Sequence, residues 1–219
     1  MKKDYFKKYC YLFWVFMLGS FLGFVLENLL MLFRGNYELR QGLIYEPLIP
    51  IYGFGLVGFY LIYNNLKFKN ENKYYKIFII FIIAFLTGGI VEYIGSYIQE
   101  AWFGTISWDY SYMKFDLNGR TSLHHSCIWG ILGVVFYYLI LPIINKMFTF
   151  KINKLGMVFT VIMSFVLLFD SSISLLACNR RTERRDKIQA TSSLDIYLDN
   201  KYPDEYVDRI FNNANIVKK

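Results

Sequence analysis

Apolar residues along this chain fall into five long blocks separated by short polar stretches: Tyr9–Phe33, Leu48–Leu66, Ile77–Ile98, Leu123–Asn145 and Leu155–Cys178. Each is close to the roughly 20 apolar residues needed to cross a bilayer as a helix. Inside lipid every backbone group must be bonded within its own segment, so unbroken apolar blocks predict helices. Barrel strands would alternate over about ten residues, and no block alternates. The pattern predicts an all-α, polytopic membrane protein of about five transmembrane helices over residues 1–178. A polar tail covers 179–219. Within it Pro203, Asp204 and Glu205 suit a first helical turn, and Tyr206, Val207, Ile210 and Phe211 form one apolar side of a short amphipathic helix. That helix is expected to dock on the protein itself, a partner or the membrane surface.

Charge sets the expected topology. Lys2, Lys3, Lys7 and Lys8 precede the first block, Lys67, Lys69, Lys73 and Lys76 fill the loop 67–76, and Lys146, Lys151 and Lys154 fill the loop 146–154. The intervening loops hold only Arg34 with Arg40, and Lys114 with Arg120. The positive-inside rule therefore places the N-terminus and the two lysine-rich loops in the cytoplasm. The basic start mimics a signal peptide, but its apolar block is too long and lacks a small-x-small cleavage site, so the block is read as a retained span. Five crossings would export the tail, yet Arg180, Arg181, Arg184, Arg185 and Lys187 follow the fifth block and argue for the inside. Either one block is re-entrant, with the Pro- and Gly-rich 47–58 region the first candidate, or the tail is exported despite its charge.

Composition removes several function classes. The chain is 55% apolar with a formal net charge of +7. Its basic residues are short-loop and juxtamembrane, which fits topology and anionic lipid rather than nucleic acid. Cys10, Cys127 and Cys178 show neither metal-ligand spacing nor a disulfide framework. No GxxxxGK[ST] loop is present, so the chain does not itself hydrolyse ATP, and no HExxH spacing or nucleophile elbow points to a metal or a hydrolytic triad. No cofactor and no metal is expected. His124 and His125, at the start of the fourth block, read as hydrogen-bonded loop anchors.

Two halves of the chain can be overlaid. Gly23-Phe-Val-Leu-Glu27 matches Gly88-Gly-Ile-Val-Glu92, Gly42 matches Gly119, Ile51-Tyr52-Gly53 matches Ile128-Trp129-Gly130, and Phe59-Tyr60 matches Phe136-Tyr137. Each unit holds two spans, so the copies enter from the same side and form a parallel repeat, an arrangement that in transporters places sites near the repeat interface. Glu27 and Glu92 sit at matching depths. An ionisable group there costs about 3 kcal/mol at the helix centre and faces a bundle interior or a wet cavity. Gly19, Gly23 and Glu27 share one helix face, as do Gly88, Glu92, Ser96 and Gln99. Two readings follow: a carboxylate pair lining a substrate or proton route, or structural acids each bonded to an arginine such as Arg40 or Arg120. Asp170, beside Ser171, Ser172 and Ser174, lies nearer a helix end and is expected to be satisfied by water, although a shared cavity with the glutamates would make a proton relay. Loop aromatics Trp102, Trp108, Tyr110 and Tyr112 suit either ligand stacking or an interfacial belt.

The chain resembles the ABC-transporter permease family called type IV, or CmpB-like. The resemblance rests on Gly23–Glu27, Arg40-Gln-Gly42, Pro47, Pro50-Ile-Tyr52-Gly53-Phe-Gly55, Glu92, Glu100, Trp108-Asp109-Tyr110-Ser111, Gly119-Arg120, Trp129-Gly130, Asp170 and Tyr202–Glu205. Glu46 departs from it, standing where the family usually has glycine. The resemblance implies a transport component working with a separate ATPase and carries over no substrate or catalytic residue. The leading expectation is a small permease-like subunit with a cavity between the repeats, lined by Glu27, Glu92 and loop aromatics, with Arg40 and Arg120 pairing the acids or binding an anionic group. The motif loops contribute Pro50, Tyr52, Gly53, Trp108, Asp109, Tyr110, Gly119, His124, Trp129 and Gly130. The alternatives are a membrane-embedded enzyme acting on lipid or cell-envelope substrates, and a non-transporting assembly or sensor protein. Partners are the lipid bilayer, with a separate ATPase subunit and a homo-oligomer left open; nucleic acid is not expected.

Overall fold

The structure, a computed structural model, describes residues 2–35, 37–66, 68, 72–149 and 152–216. Lys67, Lys69 and Lys151 of the basic loops lie outside the described residues. The helices are α1 (Lys2–Phe33), α2 (Pro50–Tyr63), α3 (Lys73–Phe103), α4 (Leu123–Val135), α5 (Leu141–Thr149), α6 (Lys154–Arg185), α7 (Ser193–Lys201) and α8 (Asp204–Ile210). A π-turn, Phe136–Ile140, joins α4 to α5 without a break. It ends two residues before Pro142, whose ring forbids the ordinary i→i−4 bond, and a wider turn absorbs that conflict. Among the described residues four stretches are long and apolar enough to span a membrane: Asp4–Phe33, Lys73–Trp102, Leu123–Lys146 and Lys154–Arg185. The protein is an all-α polytopic membrane protein.

The second apolar block is not a full-length span. Its helix has 14 residues, roughly 21 Å at 1.5 Å per residue, short of the ~30 Å hydrocarbon core. Proline explains the start: Pro50 occupies the first turn, and Ile49 before it is extended. The preceding chain enters the bundle as non-helical backbone, with the Ile49 N–H donating to the Ser20 carbonyl (3.0 Å) and the Gly42 N–H to that of Leu48 (2.9 Å). Helix α2 then runs antiparallel to α1, from Phe54 against Phe16 (5.1 Å between centroids) to Asn64 beside Asp4 and Lys8. The 47–58 region therefore does not return to its own face; α2 and its extended lead-in carry the chain from one end of α1 to the other.

Helix α6 runs the same way as α1: Trp14 Nε1 donates to Thr160 Oγ1 (2.9 Å) in their N-terminal halves, while Asp170 further along α6 bonds Ile44 and Glu46 beyond the C-terminal end of α1. The tail consequently packs at the end carrying the motif loops. A cluster of Ile44, Ala177, Leu198, Tyr202, Val207, Ile210 and Phe211 joins it to the first loop. A two-residue strand, β4 (Asn215–Ile216), pairs antiparallel with β1 (Thr105–Ile106) in the second loop. The amphipathic helix from Pro203 thus docks on the protein itself. It is preceded by α7, which a Ser192–Asp195 capping box starts. The arginines after Cys178 are not a free basic cluster. Arg180 holds both Asp199 oxygens (2.9 and 3.0 Å) and Glu183 (2.9 Å), Arg184 holds Asp199 and Asp204 (2.6 and 2.7 Å), and Arg181 and Arg185 share Asp208. The conflict over the tail dissolves: its charge is spent on its own acids, and it lies on the face opposite Lys73 and Lys154.

The repeat is visible as packing. A Cβ on Gly23 would lie 2.4 Å from the Tyr52 ring, and one on Gly88 2.3 Å from the Trp129 ring. Gly53 closes on Phe16 and Gly130 on Phe81, and Phe16 and Phe81 each stand seven residues before the first glycine of their copy. Matching residues also touch one another: Tyr52 with Trp129 at 5.5 Å and Phe59 with Phe136 at 5.9 Å between centroids. These matched contacts lie along the seam between α2 and the α4 helix with its π-turn, where the two copies meet. The correspondence stops in the loops, where Gly119 is left-handed (φ +68) under Asp109 and Gly42 instead packs on Pro50.

Candidate functional site

The two glutamates flank the seam, Glu27 half-buried and Glu92 buried, and are satisfied differently. Glu27 on α1 accepts from Tyr52 Oη (2.6 Å) and pairs with Arg40 Nη1 (3.3 Å). Asn28 fixes Arg40 by accepting from its backbone N–H and donating to its carbonyl, both at 2.9 Å. Adjacent Glu and Asn on one turn therefore hold the side chain and the backbone of the same arginine.

Glu92 on α3 is 7% exposed. It accepts from Tyr110 Oη (3.0 Å) and Thr121 Oγ1 (2.8 Å). Among the described residues no cation is paired with Glu92. Arg120, expected as its partner, goes elsewhere. It pairs with Glu100, bonds Ser96 Oγ at 3.4 Å, and lies over Tyr97 and Tyr93 at 5.3 and 5.9 Å. Glu100 stands eight residues beyond Glu92, about 12 Å along the helix. The loop delivers Arg120 to that end and Thr121 to Glu92.

The second motif loop is built to present Tyr110. Its N–H donates to the Gly119 carbonyl (2.8 Å), Asp109 Oδ1 accepts from the Ser111 N–H (2.9 Å), and Asp116 Oδ2 accepts from the Gly119 N–H (2.8 Å). Strands β2 (Asp116–Leu117) and β3 (Thr121–Ser122) close the hairpin, and Trp108 Nε1 donates to the Arg120 carbonyl at 2.8 Å. The Tyr110 ring stacks on His125 at 3.7 Å, while Ser122 caps α4 and bonds His125 Nδ1 at 3.0 Å. Exposed His124 stands edge-on to His125. Burial, then the Glu92 carboxylate, pushes the Tyr110 hydroxyl above its ordinary value, so it stays a donor.

Asp170 corrects an expectation. It is 1% exposed rather than water-satisfied. Its oxygens accept from the backbone N–H groups of Ile44 (3.1 Å), Tyr45 (3.2 and 3.0 Å) and Glu46 (2.8 Å), and from Ser174 Oγ (3.1 Å). Non-helical backbone is tolerated at depth only when its polar groups are bonded, and Asp170 bonds three consecutive N–H groups of the α2 lead-in. Neither glutamate is among these partners, so the geometry gives no relay between Asp170 and Glu27 or Glu92. Glu46 lies beside Asp170 with Oε2 buried and unbonded. Burial first, then the Asp170 charge, raises its carboxyl above the usual range.

The expected cavity between the repeats is filled by Tyr52, Trp129, Phe59 and Phe136. Two surface grooves lie away from that seam, one at Lys7 and Asn64, the other at Phe24 and Tyr37. Sequence reasoning did not foresee Thr121, Asn28, Ser174 or the tail acids as partners. The signal for the first three was general: a buried carboxylate or a loop entering the bundle demands polar neighbours.

The fold and these buried acids define a multi-pass helical membrane protein built from a parallel two-helix repeat. The chain belongs to the family described as "Putative ABC-transporter type IV", whose profile matches residues 14–175. The match covers both repeats and Asp170 and ends before Tyr202–Glu205. No curated protein and no solved structure matches the chain. The family's name suggests an ABC-transporter component, and the long apolar helices fit a multi-pass membrane protein.

Proposed function

We propose that the chain is the membrane subunit of a transport complex in a bacterial plasma membrane, with its N-terminus and short basic loops in the cytoplasm and the motif loops and folded tail outside. The observation that carries the reading is the placement of Glu27 and Glu92 at matching positions beside the Tyr52–Trp129 contact. In repeat-built transporters the halves move against each other about such a seam. Separation of Tyr52 from Trp129 would open both carboxylates to one path. Glu27 is already matched by Arg40, whereas Glu92 holds only neutral donors, so its charge is available to a proton or a cationic substrate group. An ATPase partner would dock on the face of Lys73 and Lys154, against loops that seat at most a short helix.

The test is purification of the tagged chain from its own membranes. A nucleotide-hydrolysing subunit should accompany it, and ATP hydrolysis by the complex in nanodiscs should fall several-fold in folded Glu27→Gln and Glu92→Gln proteins. Absence of an ATPase, or unchanged hydrolysis in both variants, contradicts the proposal. The filled seam and the ordered outer tail favour one second reading, an assembly or sensor protein acting through that tail. It predicts that both glutamate variants are silent and that deletion of 187–219 abolishes function.

A further inference from the structure

We propose that the groove between the start of α1 and the end of α2 binds the headgroup of an anionic phospholipid. The groove encloses about 330 Å³ and lies at the N-terminal end of the first span, where water meets bilayer. Its walls are graded. On α1, Lys7 and Lys8 stand one helical turn above Tyr11 and Leu12. On α2, Tyr60 and Leu61 lie on the bilayer side of the helix end, and Asn64 and Asn65 follow them one turn further out. The α1 wall therefore passes from ammonium through phenol to leucine as it descends, and the α2 wall from amide to Leu61 and then to the Tyr60 phenol.

That order matches a phospholipid read from phosphate to acyl chain. The two ammonium groups meet the phosphate, the phenols and an amide meet the glycerol and ester oxygens, and Leu12 and Leu61 meet the first methylenes. Basic pockets between membrane helices select anionic headgroups in this way. Asp4 also lines the mouth, so two lysines and one carboxylate face the ligand and the groove keeps a net positive charge. Free phosphate would use the lysines alone and gain nothing from the tyrosine and leucine levels.

The full-length chain, delipidated in mild detergent, is titrated with phosphatidylglycerol and with phosphatidylcholine, and bound lipid is counted by native mass spectrometry. Phosphatidylglycerol should bind saturably and in preference to phosphatidylcholine, and a Lys7→Gln/Lys8→Gln protein should bind it about tenfold more weakly. Lys154→Gln, which removes a lysine from the same face outside the groove, should bind as the wild type does. Inorganic phosphate at the same concentration should not displace the lipid. Equal binding of the two lipids, displacement by phosphate, full binding by the double variant, or equal losses in the double variant and Lys154→Gln would each overturn the proposal.

Discussion

Tyr52 and Trp129 occupy the same place in the two halves of the chain, and their rings meet at the seam between α2 and α4 with centroids 5.5 Å apart. Each ring lies against the glycine of its own half, Gly23 or Gly88. Gly23→Ala and Gly88→Ala should therefore have parallel effects, each costing about 1–3 kcal/mol by overpacking. Gly58 has only an ordinary 3.4 Å contact with Thr87. Gly58→Ala should be neutral or stabilise by up to about 1 kcal/mol, as alanine does in a helix. Thermal unfolding of the three proteins in one detergent decides this. Equal stability of all three would mean that the rings are not wedged against the glycines.

Asp170 accepts three consecutive backbone N–H groups of the α2 lead-in. An asparagine in its place would offer one acceptor oxygen instead of two and no charge. Asp170→Asn should cost about 2–4 kcal/mol, an unsatisfied buried group being worth about 1–3. It should also make the 40–49 segment the first site of proteolysis. Wild-type resistance there would show that the carboxylate is dispensable.

Glu46 should titrate in the opposite sense to most carboxylates. Burial and Asp170 raise its folded value above 4.5, so its contribution is complete below that value and is lost as pH rises through the raised one. Glu46→Gln should therefore stabilise the protein at neutral pH and lose that advantage in acid. Melting curves across pH test the sign. A Glu46→Gln protein that is destabilised at neutral pH contradicts it.

The tail has the ordinary sense. Arg180, then Arg184, lowers the Asp199 carboxyl, and the Ser192 and Thr191 backbone N–H groups lower that of Asp195. Their contribution is present above the usual aspartate value of 3.8 and lost as pH falls below it. Hydrogen exchange in α7 should rise steeply below about pH 4. Asp199→Asn should raise it already at neutral pH and flatten the pH dependence.

The bundle was legible because continuous apolar length decides helices in lipid, and the repeat because the Gly23–Glu27 and Gly88–Glu92 spacings are matched by Tyr52 and Trp129. Four features were not. The length of α2 depended on how far Pro50 defers the helix, and the depth of its lead-in depended on an acceptor 124–126 residues away. Pairing of Arg120 with Glu100 rather than Glu92 was set by hairpin geometry, in which neighbouring residues Arg120 and Thr121 reach different turns of α3. The arginine cluster misled because its neutralising acids lie 15–27 residues further on and become neighbours only once α7 and α8 fold back.

The most direct test of the account is cysteine accessibility in whole cells, with single cysteines at Ser111 and Ser192 on a Cys-free background. The motif loop and the tail share one face, proposed to be the outer one, so an impermeant reagent should label both positions. Labelling of Ser111→Cys with Ser192→Cys protected would contradict the fold, because the tail could not then pack on the loops.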